Sequence, residues 1–462
     1  MSFFNNDSNL KMRSLRISYS GVRALVGESM TPDFAIKYCN AFATYLDGQP
    51  VALCRDTRHS SSMLHAAAVS ALISSGCEIH DLGICPTPLA QFYARSHTAV
   101  KGGIAISAGH SSAEWNGITP FRQDGTFFNT YDGNEILEVF HSMDFRRMKW
   151  DTLGSQSHSF SHEELYLSAL ISFLNVPAIT ERNLTVVVDP CNGATAGLVV
   201  TFLEQLGCTV IPINNEPTGV FPHDPEPRPR NSAQVSSIIQ PTKADVGFCL
   251  NSDGTRVAVV TDTAERISEE YTLPLVADYC LMRYPDSVVV TNISTTRTLD
   301  EVVKKHNAHL IKTPIGQSAI VSAMLNENAC LGGEGSGGVA VAGFMPVFDA
   351  FLTMGLILEA MAVRKAPAHQ LVEHLPRYHL VKKNVPCRPD RQYTAVEAVR
   401  LYFQNERLVD DTDGIRVDWN DGWLHVRASA TEPMVRVIGE ATSRERADEH
   451  VDKVLQIIYR TI

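Results

Sequence analysis

Residues 51–54 form a short apolar run that stops at Arg55-Asp56-Thr57-Arg58. A helical pattern then covers 60–76, and 78–82 reads as another strand before Cys85-Pro86-Thr87-Pro88. A buried strand, a helix and a second buried strand make the unit of a mostly parallel sheet. The beat recurs twice. In the second block, strands at 184–188 and 209–213 flank a turn, Asp189-Pro190-Cys191-Asn192-Gly193, and a helix at 195–206 ending at Gly207. A Pro-rich run from Pro217 to Pro229 follows, then strands at 246–250 and 257–260 around a loop at 251–256. The third block has strands at 287–291 and 309–313, a helix at 296–305, a loop at 332–338 and an apolar helix near 348–363.

The first block is preceded by a strand at 15–26 and a helix with Thr31 as its N-cap, Pro32 at the first helical position and Asp33 in the first turn. Phe34, Tyr38, Ala41, Phe42 and Tyr45 give that helix an apolar face. After about residue 370 the character changes. A helix at 394–404, strands at 415–419 and 423–427 around the hairpin signal Asn420-Asp421-Gly422, and an amphipathic helix at 443–460 read as α+β. The chain therefore predicts three similar α/β units and one different terminal unit.

A length of 462 residues accommodates several such units. The net charge of −11, from 40 basic and 51 acidic residues, argues against a nucleic-acid or acidic-membrane binder, since both need a basic face. The ten cysteines are scattered without a CxxC, and most sit in apolar surroundings, which points to reduced thiols and a cytoplasmic protein. The start, Met1-Ser2-Phe3-Phe4-Asn5-Asn6-Asp7, has no basic region ahead of an apolar core, and no window approaches 18 uninterrupted apolar residues.

Chemistry concentrates in four loops. Gly102-Gly103-Ile104-Ala105-Ile106 leads into Ser107-Ala108-Gly109-His110-Ser111-Ser112 and closes on Asn116-Gly117. Asn251-Ser252-Asp253-Gly254-Thr255-Arg256, Gly332-Gly333-Glu334-Gly335-Ser336-Gly337-Gly338 and Arg427-Ala428-Ser429-Ala430-Thr431-Glu432-Pro433-Met434-Val435-Arg436 match it in character. Together they resemble the active-site loops of the α-D-phosphohexomutases. Ser20-Gly21-Val22-Arg23, Asp81-Leu82-Gly83, Asn214-Asn215-Glu216-Pro217 and Phe221-Pro222 fit the same family. The resemblance implies three mixed-sheet α/β domains plus a C-terminal α+β domain around a central cleft, divided as 1–155, 156–265, 266–370 and 371–462.

It also implies roles. The first loop resembles Thr-Ala-Ser-His-Asn-Pro, whose serine carries the phosphoryl group; here that position is Gly109, with His110 kept, and Arg23 and Arg256 as catalytic arginines. Glycine cannot form the phosphoenzyme. Ser107 and Ser111 lie two residues away, about 6–7 Å along an extended chain. The second loop resembles a three-carboxylate Mg²⁺ site; only Asp253 remains, with Asn251 and Thr255 in place of carboxylates, so the Mg²⁺ of the family is expected to bind weakly or not at all. Glu334 and Ser336 correspond to sugar-binding residues, with Lys312 nearby in sequence. Arg427, Ser429, Ala430, Thr431 and Arg436 correspond to the clamp on the non-reacting phosphate.

The intact clamp and sugar loop beside a degenerate phosphoserine and metal loop predict a hexose-phosphate binder that does not interconvert its ligand: a pseudo-mutase, a repurposed phosphosugar site, or a homo- or hetero-oligomeric partner of an active paralogue. Two alternatives stay open. One is an active phosphomannose, phosphoglucose or phosphoglucosamine mutase, and the other an interaction subunit with a vestigial cleft.

Overall fold

The computed structural model describes residues 15–18, 20–159, 161–406, 409–429 and 433–462. The amino-terminal strand is a small hairpin, β1 (Arg16–Ser18) and β2 (Gly21–Leu25), because Ser18 Oγ donates to the Gly21 carbonyl and the chain reverses there. Its helix, Pro32–Tyr45, is capped as the sequence predicts: Thr31 Oγ1 accepts from the Phe34 amide. The first sheet continues with β3 (Val51–Arg55), β4 (Glu78–Ile84), β5 (Gly102–Ile106), β6 (Trp115–Arg122) and β7 (Ser155–His158), in the order β1-β2-β6-β5-β3-β4-β7.

The second sheet holds β8 (Thr185–Asp189), β9 (Thr209–Pro212), β10 (Val246–Leu250) and β11 (Val257–Thr261), ordered β11-β10-β8-β9. The third holds β12 (Val288–Asn292), β13 (His309–Thr313), β14 (Leu331–Glu334) and β15 (Gly338–Val341), ordered β13-β12-β14-β15. In chain order, β3–β6, β8–β11 and β12–β15 trace one and the same path. The first strand is central, the second and third pair parallel on either side of it, and the fourth returns antiparallel along the third. The recurring beat is thus a threefold repeat of topology. The turn from third to fourth strand falls at 107–114, 251–256 and 335–337, so three of the four singled-out loops occupy one structural position.

The interior parallel strands β3, β8, β10 and β12 are buried on both faces, as parallel sheets covered by helices require. Ala52 and Cys54 of β3, Phe248 and Leu250 of β10 and Val289 of β12 point into a single core shared by all three units. Their neighbours Val51 and Leu53, Cys249, and Val290 point to separate outer cores. The helix Ala350–Arg364 runs through the shared core, and its N-cap Asp349 receives both the Leu352 amide and the Tyr166 hydroxyl from a distant helix. Burial pushes the Asp349 carboxyl up to about 6.

The fourth sheet is antiparallel throughout: β16 (His379–Pro386), β17 (Val409–Asp410), β18 (Ile415–Trp419), β19 (Gly422–Ala428) and β20 (Met434–Ala441), ordered β16-β20-β19-β18-β17. Its core is its own. The helix expected from 394 begins five residues earlier, at Pro389, because proline suits a first helical turn. The domain docks on the third unit through polar contacts, Ser294 Oγ with His425 Nδ1 (2.6 Å) and the Ile315 amide on Asp413 Oδ2 (3.0 Å) among them. Among the described residues, no helix is long and apolar enough to cross a membrane.

Candidate functional site

Residue 109 sits where β5 ends and the chain turns. Its φ of +57° is the left-handed region that glycine occupies at little cost. The loop is held by its main chain. The Gly109 carbonyl accepts from Arg58 Nη2 (3.0 Å) and from Ser252 Oγ (2.7 Å), and the Gly109 amide donates to Ser107 Oγ (2.9 Å). Ser107 in turn donates to Asp56 Oδ2 (2.7 Å), a carboxylate wholly buried with Arg58 as its ion-pair partner. Arg58 also reaches the Ser111 carbonyl and Ser252 Oγ, so one guanidinium fastens the first loop to the second. Asp56 and Arg58 lie in the Arg55-Asp56-Thr57-Arg58 stretch, which reads from sequence only as the end of a strand.

The second loop is internally satisfied. Asp253 Oδ1 accepts from Asn251 Nδ2 (2.7 Å) and Thr255 Oγ1 (2.7 Å), and Asn251 Oδ1 accepts from the amides of Thr255 and Arg256 (3.0 Å each). Asn251 therefore presents donors to Asp253, and its oxygen is turned to the backbone. A side-chain carbon placed on Gly109 would lie 3.1 Å from Asp253 Oδ2 and 3.8 Å from an Arg23 nitrogen, so these three residues do converge. Burial and the neighbouring Arg256 lower Arg23 to about 10, with Asp253 opposing the shift. Arg23 still carries its charge near neutrality.

Arg256 joins three loops. Nη1 lies 2.9 Å from His110 Nδ1 and Nη2 donates to Glu334 Oε1 (2.8 Å). Because arginine only donates, His110 Nδ1 accepts and the ring is neutral. Burial, then the positive field of Arg256, Arg23, Arg228 and Arg58, holds His110 well below 6.5. Of these four arginines Arg256 touches the ring, and Arg58, Arg228 and Arg256 are balanced by Asp56, Glu226 and Glu334. Glu334 also accepts from Ser336 Oγ (2.6 Å) and Asn292 Nδ2 (3.3 Å). Arg228 and Asn292 are further additions that sequence patterns do not signal.

The fourth loop joins β19 to β20. Arg427 and Arg436 are direct cross-strand partners, so their side chains leave the same face of the sheet. The buried Ser429 donates its amide to the Met434 carbonyl (3.0 Å). Ala430 and Thr431 lie outside the described residues. Lys312, on β13, pairs with Asp300 (2.7 Å) and adds to the positive field at Asp418 of the fourth sheet.

Models of the four parts of one family match this chain in order. They are described as phosphoglucomutase/phosphomannomutase alpha/beta/alpha domain I over residues 16–147, domain II over 164–264, domain III over 268–378 and the C-terminal domain over 383–457. The chain belongs to the phosphoglucomutase/phosphomannomutase family. A Thermococcus kodakarensis protein named "Phosphoglucomutase/phosphomannomutase" is 34% identical over 447 residues, covering 95% of this chain and 97% of the relative. A Pyrococcus abyssi protein carrying the name "Probable phosphoglucosamine mutase" is 32% identical, covering 95% and 96%. Among solved structures, a phosphoglucomutase/phosphomannomutase family protein from Burkholderia thailandensis superposes with a TM-score of 0.84 at 24% identity, covering 96% of this chain and 98% of that one. The four-domain architecture is therefore that of the family, and its relatives bear the names of mutases.

Proposed function

We propose that the cleft binds a hexose phosphate and that no phosphoryl relay runs through residue 109. The observation that carries this reading is the setting of Gly109: a residue with no side chain, facing Asp253 and Arg23, where nothing can be covalently phosphorylated. Arg427, Ser429 and Arg436, with Ala430 and Thr431, take the non-reacting phosphate, for which guanidinium and hydroxyl groups are suited donors. Glu334 and Ser336 read the sugar hydroxyls, with Lys312 as an outlying basic residue. The 251–256 loop is a poor Mg²⁺ site. It offers one carboxylate, already hydrogen-bonded by its own loop, within a field of arginines, whereas Mg²⁺ prefers several anionic oxygens.

The names of the relatives favour a second reading, a working mutase with a substitute nucleophile. Ser107 is spent on Asp56, so Ser111 is the hydroxyl such a mechanism would use. One experiment separates the two. The protein is incubated with hexose 1,6-bisphosphate and Mg²⁺, its intact mass is measured, and coupled turnover is assayed on glucose-1-, mannose-1- and glucosamine-1-phosphate. The first reading expects no phosphate-sized mass gain and no turnover, with a rise in Tm on adding the sugar phosphates that Arg436→Ala abolishes. Turnover lost in Ser111→Ala establishes the second reading. Neither turnover nor a Tm shift would leave an interaction subunit.

A further inference from the structure

We propose that the carboxyl ends of β8 and β10 form a binding site for a thiophilic divalent cation, Zn²⁺ by preference, with Asp189, His223 and Cys249 as ligands. Asp189 and Cys249 are direct partners in the parallel pairing of these strands, and both face outward from the shared core. The Pro-rich run from Pro217 to Pro229 folds over this end and brings His223 onto them. One ligand atom from each of the three residues lies within 4.8 Å of the other two. A tetrahedral site with bonds of about 2.0–2.3 Å spaces its ligands about 3.3–3.8 Å apart, so sub-ångström movements suffice.

The surrounding hydrogen bonds are those a metal site requires. His223 Nδ1 donates to the Asp224 carbonyl (2.8 Å), which fixes the ring and aims Nε2 at Asp189 Oδ2, 3.1 Å away. A ligating histidine characteristically spends its other nitrogen this way. The carboxylate is oriented too: Asp189 Oδ1 accepts from the Cys191 amide (2.8 Å) and Oδ2 from Asn214 Nδ2 (2.8 Å). Asp189 and Cys249 are fully buried, while the His223 side chain is 12% exposed, so the histidine is the side of the cluster that reaches solvent. The donor set of one thiolate, one imidazole and one carboxylate is soft enough to select Zn²⁺ over Mg²⁺. Binding displaces the Cys249 thiol proton and the proton between His223 and Asp189. Cys191 is not a ligand, since its sulfur lies 3.8 Å from Nδ1, on the far edge of the ring.

The site has a structural consequence. Phe221, two residues before His223, stacks under the Arg58 guanidinium at 5.0 Å. A metal would pin this segment and so hold Arg58 against the Gly109 loop. The inference is independent of the hexose-phosphate reading.

Co²⁺ is the probe. The chelator-treated whole chain is titrated with Co²⁺, and absorption is read for a thiolate-to-cobalt charge-transfer band and the visible bands of a four-coordinate ion. One equivalent should saturate both, and Zn²⁺ should bleach them. His223→Gln and Cys249→Ser should lose the charge-transfer band, with far-UV circular dichroism showing each variant folded, and Cys191→Ser should keep it. No stoichiometric band in the wild type, an undiminished band in Cys249→Ser or His223→Gln, or its loss in Cys191→Ser would overturn the assignment. Should Cys249→Ser fail to fold, His223→Gln decides alone.

Discussion

The turn between β5 and β6 and the turn between β14 and β15 occupy the same place in two copies of one topology, but they are held in opposite ways. At the first, neighbours grip the backbone: Arg58 and Ser252 bond the Gly109 carbonyl, and Ser107 takes its amide. At the second, neighbours grip a side chain, with Arg256, Ser336 and Asn292 converging on the Glu334 carboxylate. A loop fastened by its main chain does not need a side chain at residue 109 for its shape, so the first remains ordered with a glycine there. The second depends on Glu334 for its form as well as for any ligand.

The largest expected effect tests the main-chain grip. Arg58→Ala removes the strut and strands the buried Asp56 carboxylate, which should cost about 3–5 kcal/mol in the first transition of a urea unfolding curve. A loss under 1 kcal/mol would show that the loop holds itself. Next, Arg256→Ala takes a charged partner from Glu334 and unties His110. About 2 kcal/mol should be lost, and the Tm gain from sugar phosphates should fall with it. Gly109→Ser and Gly109→Ala should each cost about 1–2 kcal/mol, because both force a side chain into the left-handed region. A serine that destabilised far more than alanine would instead point to its hydroxyl clashing with Asp253.

The pH dependence probes the arginine field. His110 has a folded pKa below 6.5, so as pH falls through 6.5 the unfolded chain takes up a proton that the folded chain refuses, and stability is lost on acidification. Its imidazole resonances should stay those of a neutral ring at pH 6, and inorganic phosphate should raise its pKa by offsetting the arginines. Protonated resonances at pH 6 without phosphate would contradict the field described. The smallest effect sharpens the other side: Ser336→Ala removes one of the hydrogen bonds to Glu334 and should cost about 1 kcal/mol or less, while reducing sugar-phosphate affinity more than stability.

Much of this was legible in the sequence. The strand at 246–250 falls where a continuous apolar run predicts, because both faces of an interior parallel strand must be apolar, and that at 309–313 forms as expected but at the half-exposed edge of its sheet. That the loops of Gly109, His110, Asp253, Arg256 and Glu334 face one cleft was what the family resemblance implied. The hairpin at β1–β2 was less readable, since its turn is decided by one serine bond rather than by a hydrophobic period. Arg58 reads as a strand-end charge, and only docking of the second unit supplies Ser252 as its partner. Arg228 and Asn292 belong with them, in segments whose local pattern says only coil or strand end.

The sequence by itself determined three α/β repeats, a different α+β terminal unit and a glycine, with no nucleophile, at residue 109, because periodicity and side-chain chemistry are local properties. The tertiary structure alone decided that Arg256 ties three loops together and that Asp189, His223 and Cys249 meet. Those contacts join residues tens to well over a hundred positions apart, and their spacing is set by strand register and by how one unit packs on the next, neither of which any stretch of chain encodes alone.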